Sequence, residues 1–383
     1  MHHSSPNSVF KSAASNNSRP LRAWIKLSSF QENLQRISDY VGMSRVLVVI
    51  KADAYGHGLV EIAQAAGKQA EFAVALPEEL KQLRTAGLHN TVWVLEGPFS
   101  SACLHLSENV VWVIHSLWQL PLIQQALEES SIKMLSVAVK LDSGMHRLGF
   151  AEAELETVFT FLAQHSNIHL VCAMSHFAMS DEQNSPEVLE QISRFDEMLV
   201  ANGARHVKAS LANSGAILFY PETHRDWVRP GIMLYGGKPA PETVCPLKLN
   251  AVMHFQSAII ALHTVKKGES VGYGSTWTAQ QDSRIATVAV GYADGYPRHA
   301  VNGTPVAHIN PETSKITRVP LVGRVSMDMI TIDVSAIEQA EIGDPIELWG
   351  EHVSADEVAK YAGTISYDLF TGVSKRVPRE YIF

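Results

Sequence analysis

Eight short, continuously apolar runs, each separated from the next by a helix-like or polar segment, fill residues 45 to 236 and leave this chain few folds to choose from. They are VLVVIK (46–51), FAVAL (72–76), TVWVLE (91–96), VVWVIH (110–115), SVAVKLD (136–142), HLVCAMSHF (169–177), HVKASLANS (206–214) and WVRPGIMLYG (227–236). Apolar character that does not alternate marks strands buried on both faces, the signature of a parallel sheet covered by helices. Two of the intervening segments are PEELKQLRTAG, with proline at a helix start and glycine at its end, and LWQLPLIQQALEES, which keeps helical spacing around an internal proline. A βα pattern repeated eight times predicts an α/β fold with a (β/α)8 TIM-like barrel, which takes roughly 200–250 residues. A doubly wound open sheet is the alternative, because strand order is not written in the sequence.

After residue 236 the character changes. KPAPETVCPLKLN is proline-rich, and AVMHFQSAIIALHTVKKGESVGYG, RIATVAVGYADGYPR and VPLVGRVSMDMITIDVS are β-branched runs broken by glycine-containing turns. They predict a second, mostly β domain, with EVAKYAG (357–363) as a short helix within it. The chain, 383 residues long and 46% hydrophobic, can bury a core in each. The expected organisation is a disordered polar tail over 1–20, the barrel over 21–245 and the C-terminal β domain over 246–383.

Charge narrows the partners. With 39 acidic against 31 basic residues, a formal charge of -8 and no basic run, the chain is not built to neutralise nucleic-acid phosphates, and a small-molecule partner is expected. Cys103, Cys172 and Cys245 lie far apart without metal-type or paired spacing, which predicts free thiols, no metal and a reducing, cytoplasmic setting. No stretch is apolar for long enough to cross a bilayer, and MHHSSPNSVFKSAASNNSRP lacks the apolar core of a signal peptide.

The chemistry concentrates where VLVVIK runs into ADAYGHG. A buried strand that ends on Lys51 delivers an amine to the edge of the core, where partial desolvation favours the neutral, nucleophilic form. Taken alone, Lys51 reads equally as a strand-end lysine whose ammonium reaches water. Tyr55, His57, Gly56 and Gly58 follow within seven residues, and the glycines permit a tight turn and a close approach of backbone to ligand. In a barrel, the carboxyl ends of the strands carry the working groups. Here those ends bring Glu96, His115, Lys140, Asp142, His176, Asn213, Ser214 and Arg229 alongside Lys51.

From about residue 21 to the end, these motifs resemble the alanine racemases, which are pyridoxal phosphate enzymes of fold type III. The resemblance implies that Lys51 is the cofactor's Schiff-base lysine and that Tyr55, Ser214, Gly231, Ile232 and Tyr367 (in ISYDLF) hold its phosphate. His176 and Asn213 match positions near the cofactor ring, and Arg229 matches the residue facing the pyridine nitrogen. Outside this context, an ion pair with Asp226 or Glu222 would be the plainer role for Arg229. From KLDSGMHRLGF the resemblance takes Arg147 as a ligand for the substrate carboxylate, and Lys140 as a lysine that relatives carbamylate. GYGSTW supplies Tyr273 as the second catalytic base. GRVSMDM supplies Met327, whose backbone N–H meets the substrate carboxylate, and Asp181, Tyr292, Arg298 and Arg324 line the access channel. Ser326 stands where some relatives have cysteine, so no thiol is required.

What the resemblance implies as a whole is interconversion of L- and D-alanine by two bases, Lys51 and Tyr273, on opposite faces of a cofactor-bound substrate. It also implies D-alanine supply for peptidoglycan and a homodimer with shared sites, although closure within one chain is equally compatible with the sequence. A broad-specificity racemase of the same fold and a noncatalytic pyridoxal phosphate carrier are the alternatives. The carrier lacks a β domain. A decarboxylase of this architecture is disfavoured, because it places an acidic residue where Arg229 stands.

Overall fold

The computed structural model describes residues 19–129, 132–240 and 245–383; most of the expected tail, residues 1–18, lies outside them. The described chain forms two units. Among the described residues, one comprises those within 31–234 and 245–249, and the other comprises 19–30, 235–240 and Asn250–Phe383.

In the first unit all eight predicted strands form: β2 (Arg45–Val49), β3 (Glu71–Val74), β4 (Val92–Val94), β5 (Val110–Ile114), β6 (Leu135–Lys140), β7 (Ile168–Met174), β8 (Ala209–Ser210) and β9 (Trp227–Val228). They pair in parallel in the order β8-β7-β6-β5-β4-β3-β2-β9, so the last strand returns to the side of the first and the alternative of an open doubly wound order is excluded. The seam between β8 and β9 is closed by single bonds, Asp226 N–H to Ala209 O at 3.0 Å and Arg229 N–H to Ala212 O at 2.9 Å. The floor of the barrel is plugged: the Trp93 and Trp227 indoles meet edge to face at 5.2 Å and both donate to Glu71, which also pairs with Arg45.

Several strands are shorter than their apolar runs. HVKASLANS keeps only two residues in β8, because Asn213 turns aside to cap the helix Ser214–Phe219. The helix Pro77–Thr85 starts on proline as expected, and Gln119–Glu129 tolerates Pro121 because the first turn of a helix has no internal partner for its N–H.

The second unit is an eight-stranded sheet and a two-stranded ribbon. Its strands are β10 (Met253–Val265), β11 (Ser270–Val271), β12 (Trp277–Thr278), β13 (Ser283–Val288), β14 (Pro305–Ile309), β15 (Ile316–Pro320), β16 (Ile330–Asp333), β17 (Pro345–Trp349) and β18 (Arg379–Ile382). The long β10 bends at a register shift between Ile259 and Ala261, pairing with β17 through its first half and with β13 through its second. EVAKYAG falls on the helix Ala355–Ala362, capped by Ser354 and ended by left-handed Gly363.

One expectation needs correcting. Strand β1 (Arg22–Lys26) does not open the barrel: it lies between β10, antiparallel, and β18, parallel, in the β sheet. The unit boundary falls after Phe30, inside the helix Leu27–Val41. A strand followed by an amphipathic helix looks locally like one more βα unit; only pairing with a strand more than 200 residues away reveals its sheet.

Candidate active site

Beyond β2 the chain does something that its sequence gives no reason to expect. Ala52, Asp53, Ala54 and Tyr55 have φ of 53°, 55°, 52° and 54°, one turn of left-handed helix without a glycine. L-residues resist this by roughly 1–2 kcal/mol each, so the surroundings must impose it. Glu79 Oε1 accepts the Ala52 N–H at 2.6 Å, and the same carboxylate accepts the Ala75 and Leu76 amides that lead into the helix Pro77–Thr85. Asp53 Oδ1 accepts Leu59 N–H, and His57 Nδ1 donates to Tyr55 O at 2.9 Å. The turn therefore presents Lys51 at its head and buries Tyr55 at its foot. Burial, and next Arg147, lower the pKa of the Lys51 amine, with Arg229 adding to them while Glu96 and Glu79 pull the other way.

Tyr55 lies against Gly231, in the segment after β9, and Gly231 in turn is bonded to the start of the helix Ser214–Phe219. Ser214 Oγ accepts the Gly231 N–H at 2.9 Å, and a β-carbon on Gly231 would lie 2.3 Å from Tyr55 Oη. Asn213 caps the helix by accepting Ala216 N–H, and its Oδ1 also accepts the Ser180 hydroxyl, which sets Asp181 beside the helix start. Ile232 is fully buried behind them. Burial raises the Tyr55 phenol above its ordinary pKa, so it stays a donor. Two hydroxyls and an amide thus converge at a helix N-terminus, a donor set suited to a phosphate.

Arg229 lies under this cluster. It donates to the carbonyls of Ser175, Ser210 and Leu211, to Ser210 Oγ and to His176 Nδ1. All five bonds use Nη1 or Nη2, and Nε makes no hydrogen bond among the described residues. Asp226, a partner considered from sequence, instead accepts from the Ala209 amide. Burial lowers Arg229 only to about 10, so it remains a cation near neutrality. His176 accepts from Arg229, which puts its own proton on Nε2, 3.5 Å from Asn213 Nδ2. Burial first, then Arg229, Lys140, Arg147 and Lys51 hold His176 well below the usual imidazole range and so neutral.

Arg147 arrives on a loop whose neck is closed by Asp142 N–H to Phe150 O and Phe150 N–H to Lys140 O. Within it, Asp142 accepts the Gly144 and His146 amides and pairs with the His146 ring. Lys140, at the end of β6, is lowered to about 8 by burial, then by Arg229, Arg147 and Lys51. Beyond burial, Arg147 and Arg229 thus lower both Lys51 and Lys140, Lys51 also lowers Lys140, and all four cations lower a neutral His176, while the carboxylates that offset them at Lys51 are Glu96 and Glu79. Such a gathering of cations suits an anionic ligand. Glu79 and Ser210 were not singled out from sequence; a Glu at the third position of a helix signals only a cap, and a serine in a short strand signals nothing.

The remaining predicted residues lie in the β unit. Tyr273, 72% exposed, precedes Gly274, whose hydrogen side faces the Arg324 guanidinium. Tyr292, with Arg298 5.9 Å from its ring centroid, begins the turn Tyr292–Asp294, which packs through Gly291 on the Met327 carbonyl. Met327 is 53% exposed. Tyr367 is on the helix Ser366–Gly372. The structure therefore gathers the predicted residues as two groups, one within each unit.

Fold and barrel mouth together define a βα-barrel enzyme equipped for small anionic molecules. Residues 25–239 match the family "Alanine racemase, N-terminal domain" and residues 252–381 match "Alanine racemase, C-terminal domain". The alanine racemase of Hahella chejuensis is 44% identical over 374 residues, covering 95% of this chain and 98% of that one. A catabolic alanine racemase of Pseudomonas putida is 42% identical over 369 residues, covering 95% and 99%. The crystal structure of the biosynthetic alanine racemase of Pseudomonas aeruginosa superposes with a TM-score of 0.87 at 39% identity, covering 96% of this chain and 100% of that one. The chain belongs to the alanine racemase family, a family of isomerases.

Proposed function

We propose that this enzyme interconverts L- and D-alanine, using pyridoxal 5'-phosphate carried on Lys51. The observation that carries the proposal is the group of cations at the strand ends, where burial, Arg147 and Arg229 lower the Lys51 and Lys140 amines, together with the hydroxyl-lined helix start at Ser214. Tyr55, Ser214, Gly231 and Ile232 would hold the phosphate with Tyr367, and His176 and Asn213 would flank the ring. The cofactor supplies an electron-withdrawing ring that acidifies the α-proton of an amino acid joined to it.

The rest is the work of the chain. Arg147 and the Met327 N–H orient the substrate carboxylate. Lys51 holds or returns a proton at the α-carbon on one face, and Tyr273 does so on the other. Arg229, charged throughout the physiological range, would donate to the ring nitrogen and take no proton from it. Asp181, Tyr292, Arg298 and Arg324 line the access channel. Lys140, with its lowered pKa, has a neutral fraction able to add carbon dioxide, releasing a proton and leaving a carbamate anion against Arg147. A homodimer with shared sites and a cytoplasmic location complete the proposal. The relatives' names include both biosynthetic and catabolic enzymes, and we assign this chain to D-alanine supply for peptidoglycan.

The test is a chiral assay of purified protein with L-alanine, L-serine, L-lysine and L-arginine, following D-isomers and carbon dioxide. D-Alanine should dominate, borohydride should fix the cofactor on the Lys51 peptide, and Lys51→Ala should abolish racemisation. Activity should fall without bicarbonate in the wild type but not in Lys140→Ala. A label on another lysine, or substantial activity in Lys51→Ala, would refute the assignment. Rescue of a D-alanine auxotroph by the wild-type chain tests the physiological role.

A further inference from the structure

Asp294 is fully buried, at the end of the turn Tyr292–Asp294, and it is held by three chain segments. Its Oδ2 accepts the Gly291 N–H at 2.8 Å. Arg19 forks onto both of its oxygens, at 2.6 and 2.8 Å, and Arg376 Nε reaches Oδ1 at 3.0 Å. The same Arg19 guanidinium donates to the Asp328 carbonyl at 2.6 Å, and Arg376 also binds the Asp328 carboxylate at 2.7 Å. A carboxylate this buried requires such partners, and a bidentate arginine fixes direction as well as charge. Arg19 lies within the segment expected from sequence to be tail.

What the clasp orients is the peptide before Met327. Tyr292 N–H donates to Ser326 O at 3.0 Å and Ala293 N–H to Met327 O at 3.0 Å. Gly291 presses so close that a β-carbon there would lie 2.2 Å from Met327 O. The Ser326 carbonyl and the Met327 N–H belong to one planar trans peptide, so holding the first against the turn aims the second away from it. Met327 N–H has no hydrogen-bond partner among the described residues.

We infer that Arg19 and Asp294 are positioning residues: through the 291–294 turn, they hold the Met327 peptide so that its N–H faces the substrate carboxylate. The inference rests on the racemase function proposed above, but one of its readouts does not. Hydrogen exchange should be followed in the full chain for the amides of 291–296 and 326–329, in wild type, Arg19→Ala and Arg19→Lys. Arg19→Ala should exchange faster in both segments. Its KM for alanine should rise about tenfold while kcat stays within about twofold, as expected when a binding group is displaced and the chemistry is left intact. Arg19→Lys should not restore the wild-type KM, because one ammonium cannot span both Asp294 oxygens and the Asp328 carbonyl. Unchanged exchange, or faster exchange with unchanged KM, in folded Arg19→Ala overturns the inference. A chain that failed to racemise alanine would refute the proposed function, while exchange would still report on the clasp.

Discussion

Arg229 shows how much a single side chain decides, and how little of that its own neighbourhood announces. An arginine in RPGIMLYG is open to ion pairing, and what sets it apart is that its two terminal nitrogens serve neutral acceptors on β8 and in the segments that follow β7 and β8. Those acceptors fix the guanidinium and leave its charge without a carboxylate. Arg229→Glu should allow the cofactor's ring nitrogen to be protonated, strengthening the electron sink and raising pyruvate formation relative to D-alanine formation from L-alanine. Pyruvate and D-alanine are measured together, after a melting curve and a cofactor titration establish a folded, loaded variant. An unchanged product ratio in such a variant would show that Arg229 does not set the balance. Lys51 and Arg229 could be nominated from sequence because family motifs surround them. Ser210, which gives Arg229 two bonds, could not be, since its role depends on a strand seam rather than on its own neighbours.

At the scale of elements, the site is a left-handed turn wedged against a strand end and a helix start. ADAY favours a right-handed conformation at its two alanines and its tyrosine, so no local rule predicts the turn; Glu79, 27 residues further on, supplies the acceptor that Ala52 needs. The cap falls on Asn213, whose side chain accepts the Ala216 N–H, an asparagine before an apolar helix carrying its own mechanism. Gly231 joins the two pieces. In Gly231→Ala the new methyl would meet Tyr55 Oη at 2.3 Å and Cζ at 3.0 Å, and the left-handed turn prevents Tyr55 from retreating. The variant should lose about 1–3 kcal/mol of stability by overpacking. It should also bind the cofactor more weakly, because the Ser214–Gly231 bond is wedged open. Calorimetric melting with and without cofactor checks both. A variant with wild-type melting and cofactor affinity would mean that the turn is softer than its contacts imply.

At the scale of the molecule, repeating apolar runs announced the barrel, whereas the β sheet depends on pairings between the two ends of the chain that no periodicity encodes. The same scale governs the second base. Tyr273 is 72% exposed in the single chain, with Met327 and Tyr292 also open to water. Proton transfer at the α-carbon needs shelter from water, so the proposed role requires that another surface cover the phenol. The cover we propose is a second copy, with Lys51 of one protomer and Tyr273 of its partner completing each site. Lys51→Ala and Tyr273→Phe proteins, each inactive alone, should then regain activity when mixed under conditions of subunit exchange. In a mixed dimer one site carries both defects and the other carries neither. Random reassortment makes about half of the dimers mixed, so about a quarter of the wild-type rate should return. If each chain instead closed its own site, every site in the mixture would retain one defect. Verified mixed dimers that stayed inactive would therefore eliminate the shared site and place both bases within one chain.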